Sequence, residues 1–506
     1  MTPPRWSAGR VAVAVLVVLG LAGGGAVEVR QHLREAPALA ATWYAPYVDV
    51  TLTPHHAFED PEVNGADDVV LGFVVADPGD RCAPSWGAAY DLDAAATALD
   101  LDRRIARYRE RGGDVIVSFG GAANDELAVA CADDDELVDA YRAVVDRYDV
   151  TTIDLDVEGE ALADTASITR RAQALATVQS TARRAGRDLS VWLTLPVAPS
   201  GLTSSGVFAV EAMLAAEVDL GGVNVMTMSY GASRPSGTTM AAAVEASIEA
   251  TRDQLDAAYR AADLPLDAAV LWGKIGVTPM IGVNDAVTDT FTLADARTLR
   301  DLARDRGLGR VSIWSANRDA PCRPRAVTAE VSDHCSGVAQ SSPAFSRTLD
   351  VMPGRPRDGA GHRTRAATAV TAVTVPSVPD DPATSPYPVW EREATYVEGT
   401  KVVLHGRVFA ALWWTTGDEP RTGAADGAPS PWRLVGPVLP DDRRPATTTV
   451  PAGTFPEWDP ATEYRAGARV VVAGVAYRAR WWTRGDDPTG PGDGTQPNPW
   501  TPVAPS

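Results

Sequence analysis

Asp154, Asp156 and Glu158 stand at every second position of the run V-T-T-I-D-L-D-V-E-G, residues 150–159. Side chains of an extended strand alternate between its faces. One strand here therefore puts three carboxyls on one side and Ile153, Leu155 and Val157 on the other. Neighbouring carboxyls on that face are about 7 Å apart. In a partly buried site, like-charge repulsion and desolvation keep at least one of them protonated near neutral pH. A protonated carboxyl beside ionised ones is what a general acid for glycosidic bond cleavage requires. The same spacing also suits a solvated strand whose acids only confer solubility, and the apolar opposite face fits both readings.

The elements that must position these carboxyls lie between residues 41 and 350. Short apolar runs (47–52, 69–76, 115–119, 152–158, 190–196, 222–228, 275–279 and 310–315) alternate with alanine-rich helical stretches such as 93–111, 136–147, 168–185, 240–262 and 293–306. Eight such β-α units predict an α/β fold, a TIM (β/α)8 barrel, with its site at the carboxyl ends of the strands. Glu158 falls at such an end, on the fourth strand.

The chain as a whole has 506 residues, more than one ordinary domain, with 43 Gly and 38 Pro to build turns and linkers. A net charge of −20 argues against a nucleic-acid partner, which needs a basic footprint. Six scattered His, with no H-E-x-x-H or C-x-x-C, give no metal motif, so no metal and no cofactor is expected. Residues 1–40 read as a targeting segment: Arg5 and Arg10 precede an uncharged apolar run from Val11 to Val27. Export follows, with release into the medium favoured and an uncleaved membrane anchor facing outside as the alternative. The even number of cysteines agrees with export. Cys82 and Cys131 flank the 115–119 strand, while Cys322 and Cys335 close a short loop. That proximity favours the pairings 82–131 and 322–335, although sequence leaves the other two pairings open.

The D-x-D-x-E of the fourth strand, together with Ser118-Phe119-Gly120-Gly121 on an earlier strand, resembles glycoside hydrolase family 18, the chitinases and related endo-N-acetylglucosaminidases. The family pattern D-G-x-D-x-D-x-E is altered at its front, where Thr151 and Thr152 replace Asp-Gly. On the sixth strand, Met226-Thr227-Met228-Ser229-Tyr230 resembles the family's M-x-Y-D segment imperfectly. Either Tyr230 reaches in from beyond the usual position, or support for the substrate's N-acetyl group is weaker here. Trp314, in Val311-Ser312-Ile313-Trp314-Ser315, matches the Trp that floors the family's sugar site, where an apolar indole face suits a pyranose. Residues 278–285 are a further source of subsite contacts. The resemblance implies a retaining, substrate-assisted mechanism in which the substrate's acetamido oxygen is the nucleophile, an exception to the two-carboxylate rule. It makes Glu158 the proton donor and has Asp156 orient the acetamido N–H. Asp154 is expected to share a proton with Asp156. Tyr230 completes the catalytic set, with Ser118, Gly120, Met228 and Trp314 around the substrate.

Beyond 350 the composition shifts. Residues 351–387 read as a linker, 388–436 as one small all-β module, 437–454 as a second linker and 455–504 as a second module. The two modules repeat each other at a constant offset: Tyr396, Trp413-Trp414-Thr415, Gly417-Asp418 and Trp432 recur as Tyr464, Trp481-Trp482-Thr483, Gly485-Asp486 and Trp500. They resemble carbohydrate-binding module family 5/12, the chitin-binding type. So many Trp exceed what so small a core can bury, so some are expected to be exposed for stacking on sugar. On a strand, one member of each Trp-Trp pair would face the core and the other solvent, with the assignment open. Trp432 and Trp500 are further sugar-binding candidates.

Together these readings describe a monomeric, secreted chitinase whose partner is chitin or another N-acetylglucosamine polymer. The alternatives are a non-hydrolytic or transglycosylating chitin-binding protein and an endo-β-N-acetylglucosaminidase.

Overall fold

The structure, a computed structural model, describes residues 42–322, 331–350, 380–381, 385–421, 429–440, 442, 453–472, 474–479, 481–488 and 499–502. The targeting segment 1–40 and most of the two expected linkers lie outside these residues. The chain divides into two units, Met1–Arg365 and Ala366–Ser506.

The first unit is organised by a parallel sheet. Its parallel strands are β1 (Trp43–Tyr44), β2 (Tyr47–Asp49), β3 (Asp68–Ala76), β4 (Asp114–Gly120), β5 (Thr152–Asp156), β6 (Ser190–Ala198), β7 (Leu220–Met226), β8 (Ile275–Thr278) and β9 (Arg310–Val311), with short antiparallel additions at Pro84–Trp86, Tyr90–Asp91 and Gly201–Leu202. Every neighbouring pair from β2 through β9 is parallel. β1 pairs in parallel with β9, and β1 and β2 lie on one run of chain interrupted at Ala45-Pro46. The pairing therefore returns to its start, through a segment whose first half the 47–52 expectation missed.

Alternate residues of the strands enter different apolar clusters, as period-two alternation requires. Val69, Leu71, Val115, Val117, Ile153 and Leu155 pack with helix residues such as Ile105, Leu137 and Ile168. Trp43, Tyr47, Val70, Ile116 and Trp192 form a separate cluster on the inner face, with Phe73 and Trp314 against it. Gly222 makes room for this inner layer: a Cβ there would lie 2.5 Å from the Trp192 ring.

The helices start where sequence signals place them. Asp133 caps Asp134–Tyr148, Thr239 caps Met240–Ala261, and Thr292 with Asp295 forms a capping box before Leu293–Arg306. The expected helix 93–111 is two helices, Leu92–Ala98 and Leu101–Glu110, separated at Asp100, whose φ is +51°. Both expected disulfides, Cys82–Cys131 and Cys322–Cys335, are present.

The second unit contains two copies of one small β module. In the first, Lys401–Leu404, Arg407–Ala411 and Trp432–Pro437 form an antiparallel sheet, and Thr395–Tyr396 pairs with Thr415–Thr416. In the second, Arg469–Val472, Val475–Ala479 and Trp500–Pro502 do the same, with Glu463–Tyr464 paired to Thr483–Arg484. Two residues of the expected linker contact the first module: Asp380 accepts from the amides of His405 and Gly406, and Tyr387 joins an apolar cluster with Val403 and Val408.

Candidate active site

β5 ends at Asp156, two residues short of the expected strand, but the extended course continues. The Val157 amide donates to the Thr194 carbonyl at 3.0 Å, and Glu158 has φ −141° and ψ 177°. Glu158 thus keeps the parity of Asp154 and Asp156 and stands at the start of the short helix Gly159–Ala163.

The three carboxyls have different surroundings. Asp154 is fully buried and accepts from Tyr47 (2.8 Å) and Ser118 (2.7 Å) at Oδ2, and from Thr194 (2.7 Å) and Arg310 (2.6 Å) at Oδ1. A carboxylate offers about four acceptor positions, and here all are taken. The expected proton sharing between Asp154 and Asp156 therefore does not fit: Asp154 is an ion-paired anchor with no position left. Asp156 is buried, and its Oδ1 has no hydrogen-bond partner. Burial, then the charges of Glu158 and Asp154, push its pKa well above the ordinary carboxylate range, while Arg310 opposes the shift. Glu158 is partly exposed, and its pKa is raised by burial first and by the charge of Asp285 second. The end of β5 thus carries two interacting carboxyls whose protons are held above their usual pH range.

Gly120 supports Asp156 from the neighbouring strand. With φ +96°, it brings the chain so close that a Cβ would lie 2.1 Å from the Asp156 carbonyl oxygen, which accepts the Gly121 amide at 3.0 Å. Ser118 is placed differently from expectation. Its hydroxyl is buried against Asp154 beneath the site, so it positions a carboxylate and does not face substrate.

Trp314 is half-buried just past β9 and stacks on Phe73 at 5.5 Å, with Tyr47 at 6.1 Å, forming an aromatic floor at the carboxyl edge of the sheet. Met228 lies half-buried past the end of β7. Tyr230 does not reach inward: its ring is buried among the helix-facing apolar residues, and its hydroxyl pairs with Ser247 on Met240–Ala261 at 2.8 Å. Burial against that helix makes it a core aromatic, which removes it from the catalytic set. Ser229 next to it has φ +48°, donates its amide to Asn284, and leaves its buried hydroxyl unpartnered. The loop after β8 is held between these pieces. Asn284 also donates to the Met280 and Gly282 carbonyls, and Asp289 accepts from the Gly231 amide and pairs with Arg234.

Tyr47, Thr194, Asn224, Thr278 and Arg310 form one buried network with Asp154. Asn224 donates to Thr194 and accepts from Thr278, and Arg310 also donates to Ser312. Of these five, only Thr278 lies in a stretch singled out from sequence for the site, and there as a source of subsite contacts. A buried Arg at the base of the last strand was the one available signal.

In the modules, Trp432 and Trp500 are core residues, 3% exposed, each donating its indole N–H to a backbone carbonyl (Asp418 or Asp486) and meeting Tyr396 or Tyr464 edge-on. They are not sugar platforms. Trp413 and Trp414 are both exposed, at 43% and 56%; Trp482 is 58% exposed, with Trp481 half-buried. The one-in, one-out expectation fails for Trp413 and Trp414, which lie between strands where alternation has no hold; in the second module Trp482 is the more exposed ring.

The first unit is similar to the catalytic domain of a hyperthermophilic chitinase from Pyrococcus furiosus, with a TM-score of 0.53 and 30% identity, covering 62% of this chain and 96% of that one. The chain belongs to the chitinase family. It is also 38% identical over 287 residues to a probable bifunctional chitinase/lysozyme of Escherichia coli, covering 55% of this chain and 31% of that protein. Endochitinase 11 of Metarhizium anisopliae is 37% identical over 287 residues, covering 55% and 52%. The chain thus spans between about a third and a half of these two relatives. Residues 457–501, the second module, match carbohydrate-binding module family 5/12. Among the described residues, no helix is long and apolar enough to cross a membrane.

Proposed function

We propose that this chain is a secreted chitinase that cleaves β-1,4 links between N-acetylglucosamine units, with retention and with help from the substrate. The observation that carries the reading is the Asp156–Glu158 pair, two carboxyls with raised proton affinity at a strand end beside Trp314. In this reading the closed parallel pairing of the first unit is a (β/α)8 barrel with the pair at its carboxyl mouth.

Glu158, kept protonated by burial and by Asp285, donates its proton to the glycosidic oxygen as the C–O bond breaks. The substrate's acetamido oxygen attacks the anomeric carbon and gives a cyclic oxazolinium ion. The buried Oδ1 of Asp156, which has no partner within the protein, accepts the acetamido N–H. Water, deprotonated by Glu158, then opens the ring. Asp154, held by Arg310, fixes the strand beneath the pair. The first module, which repeats the second, would bind the same polymer, and two modules on one chain raise avidity through effective concentration.

A binding-only reading draws support from Ser229 and Tyr230, which leave the expected acetamido support incomplete. One comparison separates the readings and tests substrate assistance: soluble N-acetylglucosamine oligomers against the same oligomers de-N-acetylated. Cleavage of the first alone is the expected result. Cleavage of neither supports a binder, and equal cleavage of both removes the substrate-assisted mechanism.

A further inference from the structure

A buried cation without a paired carboxylate joins the loops next to Trp314. Arg171, Arg310 and Arg318 are all fully buried, and the first two pair with Glu126 and Asp154 at 2.6 Å. Among the described residues no carboxylate pairs with Arg318, and Asp285 and Asp333, whose charges reach it, make no hydrogen bond to it. A buried charge without an adjacent opposite one is costly. An apolar side chain would fill the same space at less cost, so the value of Arg318 lies in what its planar fork holds.

The fork gathers three backbone carbonyls from two segments. Nη2 donates to the carbonyls of Ile281 at 3.1 Å and Val283 at 2.6 Å, just past β8. Nη1 donates to the carbonyl of Ser332, in the loop closed by Cys322–Cys335. The post-β8 segment is also the support of Trp314. The Trp314 amide donates to the Pro279 carbonyl at 2.9 Å, and the Trp314 carbonyl accepts the Ile281 amide at 3.0 Å. Ile281 therefore gives its N–H to Trp314 and its C=O is held by Arg318. The disulfide loop closes tightly on the same segment: the Val283 amide donates to the Ser336 carbonyl at 2.8 Å, and a Cβ on Gly282 would lie 1.7 Å from that oxygen.

We propose that Arg318 is a positioning residue for the sugar floor: by tying residues 281–283 to the disulfide loop it fixes the segment to which Trp314 is bonded, and so sets where the indole stands at the mouth of the site. The proposal rests on the hydrolytic reading above. Arg318 touches no substrate and acts only through Ile281 and Trp314.

The test is a double-mutant cycle on kcat/KM of the full chain with a soluble N-acetylglucosamine tetramer, each sample also followed by thermal unfolding. The variants are Arg318→Met, Arg318→Lys, Trp314→Ala and the two Arg318 changes combined with Trp314→Ala. Arg318→Met is expected to lose about tenfold, a fraction of what a misplacement of about 1 Å costs at reacting groups. Arg318→Lys keeps the charge but not the fork and is expected to lose about fivefold. In the Trp314→Ala background both losses are expected to shrink to within about twofold, because the group through which Arg318 acts is gone. Losses that multiply with that of Trp314→Ala overturn the proposal, as does a folded Arg318→Met within about twofold of wild type. If Met alone fails to fold, the Lys arm decides; loss of the folded state in both assigns Arg318 a purely structural role and also overturns the proposal. An inactive wild type would instead overturn the hydrolytic reading, and the proposal with it.

Discussion

Gly120→Ala tests how closely the neighbouring strand sets the end of β5. The new Cβ would lie 2.1 Å from the Asp156 carbonyl oxygen, against an ordinary contact of at least 3.4 Å, so the backbone there must yield by about 1.3 Å. That carbonyl belongs to one member of the acid–base pair and lies two residues before the other. A misplacement of about 1 Å at reacting groups costs on the order of 100-fold in rate. The φ of +96° adds about 1–3 kcal/mol of strain for an alanine. A domain with 5–15 kcal/mol of stability, in about the usual range, survives such a loss. The assay is kcat/KM on a soluble N-acetylglucosamine oligomer, with thermal unfolding and chitin binding followed on the same sample. The expected result is a loss of about 100-fold with a cooperative melt and unchanged chitin binding. A folded variant within about threefold of wild type would refute the claim that Gly120 sets the position of Asp156 and Glu158.

Two further predictions follow from charge and burial. Asp285→Asn removes the like charge that raises Glu158, so its pKa falls back towards that of an ordinary carboxyl and the alkaline limb of kcat/KM moves to lower pH. A limb that stays in place or rises would show that Asp285 does not act on Glu158. In the second module, Trp482→Ala removes an exposed ring and is expected to change stability by less than about 0.5 kcal/mol while weakening chitin binding by about 1 kcal/mol. Trp500→Ala removes a buried ring and its hydrogen bond to Asp486, at a cost of about 3–5 kcal/mol, enough to unfold so small a module. Limited proteolysis and chitin pull-down of each full-length variant distinguish the two effects, and the reverse ranking would contradict the burial assignment.

The carboxyl ladder was legible because period-two spacing survives wherever the backbone is extended, even past the formal end of β5. The long helices were legible because their capping signals are local, whereas the favoured cysteine pairing, with Cys82 and Cys131 separated by 49 in sequence, needed the structure to settle it. The network that holds Asp154 was not. Tyr47, Thr194, Asn224, Thr278 and Arg310 come from five strands far apart in sequence, and each alone looks like an ordinary strand residue. Tyr230 misled because its spacing relative to the strand end says nothing about which way the chain turns, and the positive φ at Ser229 precedes a ring packed against a helix. In the modules, the count of Trp was a sound guide to exposure, but not to which rings are exposed. The Tyr-Trp pairs that build each core join strands of two different sheets, and the Trp-Trp pairs lie between strands.

The most direct test of the account is release of soluble sugar from colloidal chitin by the wild type and by Glu158→Gln. The substitution keeps the shape of the side chain and removes the proton it can donate. The account predicts that the wild type releases N-acetylglucosamine oligomers and that the variant loses at least about 100-fold while binding chitin as well as before. Equal release by the two proteins would contradict it and remove Glu158 from the chemistry.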